Sequence, residues 1–182
     1  KKVTIGDMVV IHARYVKVGQ TIVSQCLDNR VACWIAIEAM RKLAAKPGTH
    51  DCEIHCVFTV QEEVGLRGAV TSGYAVKPDI AIGLDVTLCV DTPGVSEDQR
   101  GTKQGDGATL TGVLRDFEKV AGKHKIKTQR SILPRGTTDA AGMQRAAAGT
   151  RAFTLSCPTR YIHTVIEMVH EDDLHACRDL LA

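Results

Sequence analysis

Between residues 3 and 23, apolar and polar positions alternate (Val3, Ile5, then Met8 to Ile11, then Tyr15, Val16 and Val18), with Gly6-Asp7 and Gly19-Gln20 as punctuation. That period of two predicts short antiparallel strands. The period then lengthens. Val31, Ile35, Ala39 and Leu43 recur at helical spacing, with Asp28 placed to cap the helix and Pro47-Gly48 to stop it. Glu53 to Val60 and Ile80 to Val86 are nearly continuous apolar runs, as strands covered on both faces should be, and Gly68 to Tyr74 between them fits a short helix. Asp91 to Gly112 reads as loop and edge strand. A helix follows with Val113, Phe117, Val120 and Ala121 on one face, then a strand near Ile126 to Leu133. The turn Pro134-Arg135-Gly136 leads to Thr137-Thr138-Asp139, suited to start a helix that ends at Gly149. Arg151 to Cys157 makes another strand, and Glu171-Asp172-Asp173 open a last helix that buries Leu174, Cys177 and Leu181. Strands alternating with helices predict a layered α/β fold with a mainly parallel sheet.

Composition narrows the function. With 182 residues, 44% of them hydrophobic, the chain can build one core. No apolar run reaches the roughly 18 residues of a membrane span, and no leader pattern opens the chain, so a soluble, cytoplasmic protein without a membrane partner is expected. A formal charge of +2 and 4% aromatics give neither a phosphate-tracking stripe nor a base-stacking platform, so no nucleic acid is expected as a partner. Seven cysteines show no repeated spacing, and most of them read as reduced core residues. Cys52, His55 and Cys56 read as a strand face rather than a zinc site, because the paired CxxC spacing is lacking.

Four acidic residues stand directly after apolar segments: Asp28, Glu62 and Glu63, and Asp85; His163 follows the strand that ends at Cys157. Ligands gather beyond the carboxyl ends of strands in open α/β sheets, which is where such residues can converge. Carboxylates at ~4 Å repel by several kcal/mol per pair at an effective dielectric near 20, so a converged cluster requires neutralisation. An imidazole among the carboxylates favours a divalent metal over shared protons, since this oxygen and nitrogen set suits zinc or cobalt. Each residue also has a plain alternative: Asp28 as a helix cap, Glu62-Glu63 as a solvated turn, His163 as an ordinary surface or core histidine. Position alone therefore reaches only a metal-dependent hydrolase.

Five strings carry more: Cys26-Leu27-Asp28-Asn29-Arg30, Thr59 to Ala69 with Gln61-Glu62-Glu63-Val64-Gly65 at its centre, Gly83-Leu84-Asp85-Val86, Thr137-Thr138-Asp139-Ala140, and Pro158 to Thr164 ending in His163-Thr164. In this order they resemble the motifs of the M42 family of metalloaminopeptidases, along the whole chain. The resemblance implies a three-layer α/β catalytic domain of the phosphorylase/hydrolase-like type, two zinc or cobalt ions, a peptide substrate with a free N-terminus, and homo-oligomers in which dimers build dodecamers. Carried onto this sequence, Asp28 would bridge the metals, Glu63 and His163 would complete one site, Asp85 would serve the other, and Glu62 would be the general base. Gly136, Thr138 and Asp139 would belong to the specificity pocket, and Arg160 and Tyr161 would flank the substrate beside His163.

The sequence departs from the family pattern in three ways. Members usually run to about twice this length, and the His-x-Asp motif that supplies the second metal's histidine is absent. Residues 1–22 resemble only the last strands of a small β-domain used for dimer contacts, leaving 23–182 as a partial catalytic domain. A segment of roughly ten residues is missing near Gly112-Val113. Asp85 would then lack its partner. Two further readings stay open: an inactive fragment or assembly subunit, and a glycosidase using Glu62 and Asp85 as an acid and base pair at about 5–10 Å without metal.

Overall fold

The computed structural model describes residues 2–112, 115–133 and 135–182. Its elements are β1 (Val16–Val18), β2 (Thr21–Ser24), α1 (Leu27–Ala44), α2 (Arg67–Val76), β3 (Ile80–Leu88), β4 (Ala108–Thr111), α3 (Arg115–His124), β5 (Thr128–Arg130), α4 (Asp139–Gln144), β6 (Arg151–Arg160), β7 (Glu167–His170) and α5 (Glu171–Leu181).

β6 organises the sheet. It runs parallel to β3 from Ile80↔Arg151 to Leu88↔Thr159, and its other edge pairs antiparallel with β4 (Leu110↔Leu155) and, further along, with β7 (Thr159↔Val169). β4 pairs parallel with β5, while β2 pairs antiparallel with β7 and β1. The result is an α/β fold with a mixed sheet where a mainly parallel one is expected. Parallel neighbours need a crossover, usually a helix. No α-helix joins β3 to β4, and only residues 161–166 join β6 to β7, so both connections return antiparallel.

Helices cover both faces. Ile82, Leu84 and Val86 of β3 pack into the core with Val31 and Ile35 of α1 and Leu174 and Cys177 of α5. The alternate position Gly83 faces α4, where an added Cβ would meet the Ala140 nitrogen at 2.9 Å. α4 in turn packs on α2, with Gly142 against Ala69 and Leu66.

Some expected elements differ. Glu53 to Val60 joins no ladder among the described residues, and Val57, Phe58 and Val60 are exposed, since no described strand lies beside this segment to pair with it. Residues 3–15 likewise carry no strand, and only the β1–β2 hairpin forms; β2 crosses the expected boundary at residue 22 and pairs with β7. β5 is shorter than the strand expected near Ile126 to Leu133, and β4, expected near an edge, lies between β5 and β6. Phe117 and Ala121 of α3 turn inward while Val120 is exposed; Val113 and Pro134 lie outside the described residues. No helix among the described residues is long and apolar enough to cross a membrane.

Candidate active site

Asp28 opens α1 but does not cap it. Cys26 adopts left-handed backbone (φ 57°), Asp28 and Asn29 are non-helical, and Asn29 Oδ1 accepts the Ala32 N–H at 3.0 Å. Asn29 is therefore the capping side chain, which corrects the reading of Asp28 as a cap and leaves the Asp28 carboxylate uncommitted.

Glu62 and Glu63 sit in the turn that leads into α2, where the Leu66 N–H donates to the Glu62 carbonyl at 2.9 Å. Gly68 fixes this turn. Its N–H donates to the Val60 carbonyl at 3.0 Å, and a Cβ there would meet Val60 backbone atoms at 2.5 and 2.6 Å. His163 lies in the β6–β7 connection with φ 63°, close to Tyr161 at φ 60°, and Gln61 before the glutamates is also left-handed at 60°. Such strain in non-glycine residues collects at functional sites.

One buried carboxylate holds two of these segments together. Glu167, 2% exposed, accepts the Asp28 N–H at Oε2 and the His163 N–H at Oε1, each at 2.9 Å. With those backbones fixed, His163 Nε2 lies 3.2 Å from Asp28 Oδ2 and 3.2 Å from Glu63 Oε1. Ligand atoms of Asp28, Glu63 and His163 all fall within 4.8 Å of one another, and no second such group of three forms among the described residues, Cys52, His55 and Cys56 included.

Asp85 is not one of the three. It is buried within β3, three residues before the strand ends at Leu88, where Oδ1 accepts from the Val86 N–H at 2.8 Å and from Asn29 Nδ2 at 3.1 Å. Asp139 accepts a hydrogen bond from the Thr59 hydroxyl, and its other oxygen is buried without a partner. Thr138 caps α4 and shares a hydrogen bond of 2.7 Å with Thr154; Gly136 lies just before it in a cavity wall. Arg160 pairs with Asp91: its guanidinium binds both carboxylate oxygens, at 2.6 and 2.8 Å. Tyr161 is exposed.

Three carboxyl groups of the site, those of Glu62, Asp28 and Asp85, are hard to ionise. Burial, then the Asp139, Glu63 and Asp28 charges, lift Glu62 to about 7. Burial, then Glu63 and Glu167, lift Asp28 to about 6, with His163 alone opposing. Burial lifts Asp85 to about 8 against the Val86 hydrogen bond, with Asp28, Glu62 and Asp139 adding. The contrast is Asp91, which burial also pushes up but which Arg160 pulls down to about 2. Among the described residues no lysine or arginine offsets these three carboxyls in this way, so the cluster is short of positive charge. Two carboxylates and an imidazole with converging ligand atoms match the mixed donor set of zinc or cobalt, and the residues present fit such an ion.

Two residues that position the site are not singled out by the sequence reading. Glu167 carries a legible signal, being in phase with Val169 on a strand whose inward positions should be apolar. Asn29 carries one too, since asparagine is as good a cap as aspartate.

The M42 glutamyl aminopeptidase family model matches residues 1–180. The lysyl aminopeptidase of Pyrococcus furiosus is 36% identical over 81% of this chain and 43% of its own length. Among solved structures, an aminopeptidase from the archaeon Desulfurococcus kamchatkensis is similar at 34% identity and TM-score 0.86, over 91% of this chain and 49% of its own. The TET1 peptidase of Pyrococcus horikoshii, which can assemble into a tetrahedron or a large octahedral shell, is similar at 27% identity and TM-score 0.75, over 92% of this chain and 51% of its own. The chain thus spans about half the length of the curated relatives it matches. Both the family match and the shared fold place this chain in the M42 family of aminopeptidases.

Proposed function

We propose that this chain carries the catalytic centre of a metal-dependent aminopeptidase that releases N-terminal residues from short peptides. The observation that supports it most is the meeting of Asp28, Glu63 and His163 inside a group of carboxyls that no described lysine or arginine offsets. In this reading those three residues hold one zinc or cobalt ion, and Asp85, with Asp28 between, serves a second. When bound, the ions supply Lewis-acid polarisation of the scissile carbonyl and lower the pKa of water. Glu62, half-buried and outside the ligand set, takes the proton of the attacking water on its carboxylate and hands it to the leaving amine. Thr59 holds Asp139 beside it, and Glu167 keeps Asp28 and His163 in register. A homo-oligomer is part of the proposal, on the strength of the similar TET1 assembly.

Hydrolysis of short peptides by the 182-residue chain with added zinc or cobalt tests this. Activity should vanish with a chelator and fall by about 10²–10⁴-fold in Glu62→Gln with bound metal retained. Chelator-resistant hydrolysis, or a wild-type rate in Glu62→Gln, contradicts it. The position of Asp85 outside the three-residue cluster favours one alternative, an assembly subunit with an incomplete site. One bound ion per chain together with no hydrolysis of any peptide would establish that alternative.

A further inference from the structure

Asp173 is a buried carboxylate that the proposed chemistry does not use. It stands in the first turn of α5, 0% exposed, and its two oxygens accept the Gly107 N–H at 2.7 Å and the Gly105 N–H at 2.8 Å. The loop through these glycines is pinned from its other side as well. The Ala108 N–H donates to the Lys127 carbonyl at 3.1 Å, and a Cβ on Gly107 would meet that carbonyl oxygen at 2.1 Å. Positive φ values of 82° at Gly105 and 97° at Gly107 let the backbone pass there, which residues with a Cβ would resist.

The pinned loop floors a cavity of about 300 Å³ that shares no residue with the acidic cluster. One wall is a face of α5, where Asp172, His175 and Asp179 recur at helical spacing. The other is the end of α3 and the residues after it, with His124, Lys125 and Lys127. These charges are not equally engaged. Asp179 is held by Lys42 at 2.6 Å and by Arg178 at 2.7 Å. Asp172 is exposed and has His170 at 3.8 Å, too far for a hydrogen bond to its carboxylate. Lys127 reaches the Gly105 carbonyl at 3.5 Å, a weak contact, and Lys125 is exposed.

The cavity therefore presents a carboxylate on one wall and ammonium groups on the other, above a floor fixed in advance. A ligand that is only anionic meets repulsion from Asp172, and one that is only cationic meets it from the lysines. A zwitterion finds opposite charge at both of its ends. The volume is at the small end of ligand pockets, which suits an amino acid or a dipeptide rather than a longer chain.

We infer that this cavity is a second binding site, separate from the metal cluster, for a free amino acid or dipeptide whose carboxylate lies on Lys125 and Lys127 and whose ammonium lies on Asp172. The inference does not rest on the aminopeptidase reading, and its test reads binding alone.

That test is an NMR titration of the ¹⁵N-labelled 182-residue chain, in chelator, with leucine. Amide shifts should gather on Gly105, Gly107, Lys125, Lys127 and His175, with a dissociation constant in the millimolar range that exposed charge pairs support. Leucinamide, which lacks the carboxylate, and N-acetylleucine, which lacks the ammonium, should each bind about threefold to tenfold more weakly. The double variant Lys125→Gln/Lys127→Gln should bring leucine down to the level of leucinamide, and Asp172→Asn to that of N-acetylleucine. All three positions are exposed, so the fold is kept. N-acetylleucine binding as well as leucine would make this a plain anion site, and leucinamide binding as well would make it a plain cation site; either overturns the inference. So do leucine binding unchanged in both variants, shifts confined to Asp28, Glu62 and Glu63, and no shifts at all at about 50 mM leucine.

Discussion

Replacing Asp85 by asparagine should stabilise the metal-free protein, and the gain should grow with pH. Asp85 is 9% exposed, and both hydrogen bonds it accepts fall on Oδ1, from Val86 and Asn29, so the amide oxygen of an Asp85→Asn side chain can accept both. What changes is titration. Burial raises the Asp85 carboxyl from 3.8 to about 8 in the folded protein. Below pH 4 the group is protonated in both folded and unfolded chains and adds no difference. Between pH 4 and pH 8 the unfolded chain releases the proton while the folded chain keeps it, so wild-type stability falls as pH rises, by up to ~1.4 kcal/mol per pH unit. At pH 7 the accumulated loss is about 4 kcal/mol; water entering the site would reduce it, but even about 2 kcal/mol is readily measured. Urea unfolding in chelator at several pH values between 4 and 7 is the assay. The Asp85→Asn curve should meet wild type at the acid end and rise above it toward neutrality. Two curves that run parallel across this range would refute the claim that Asp85 is forced to stay protonated.

Other outcomes follow from the same geometry. Glu167→Gln leaves one acceptor oxygen for two backbone N–H donors, so stability should fall by about 1–3 kcal/mol and zinc affinity by about 10–100-fold, read by denaturant unfolding and competition with a chelating dye. Unchanged zinc affinity would remove Glu167 from the positioning role. Gly68→Ala drives a methyl into the Val60 backbone and should cost about 1–3 kcal/mol while displacing the turn that carries Glu62; a thermal melt equal to wild type would contradict that contact. Arg160→Ala should lower stability through loss of the Asp91 pair, with peptide KM unchanged, because its guanidinium is spent on Asp91. A rise in KM alone would return Arg160 to substrate binding.

Local patterning made much of the fold legible. The 3.6-residue recurrence of Val31, Ile35 and Ala39 marks the buried stripe of α1, and the acids at Glu171 to Asp173 mark the start of α5. Pairing was harder to read, because ladders depend on which strand lies alongside. Glu53 to Val60 has strand composition yet joins no ladder among the described residues, and the sheet is mixed because two connections lack a crossover helix. β7 has no strand signature in the sequence, being four residues long with a buried glutamate. In the site, acids placed after apolar runs, together with five ordered motifs, single out Asp28, Glu63 and His163, which the fold brings together. Glu167 reaching the Asp28 N–H across 139 residues of sequence and Arg160 turning to Asp91 are long-range pairings that no local pattern encodes, whereas the Asn29 cap is local, three residues from the Ala32 N–H it accepts.

Metal binding at the cluster is the most direct test of this account. Titration of the chelator-treated chain with cobalt, followed by visible absorption, should show an ion bound through Asp28, Glu63 and His163. Glu63→Gln and His163→Ala should each weaken it by more than about 100-fold, beyond what loss of a supporting residue costs. Cobalt affinity and spectrum unchanged in both variants would show that these side chains hold no ion.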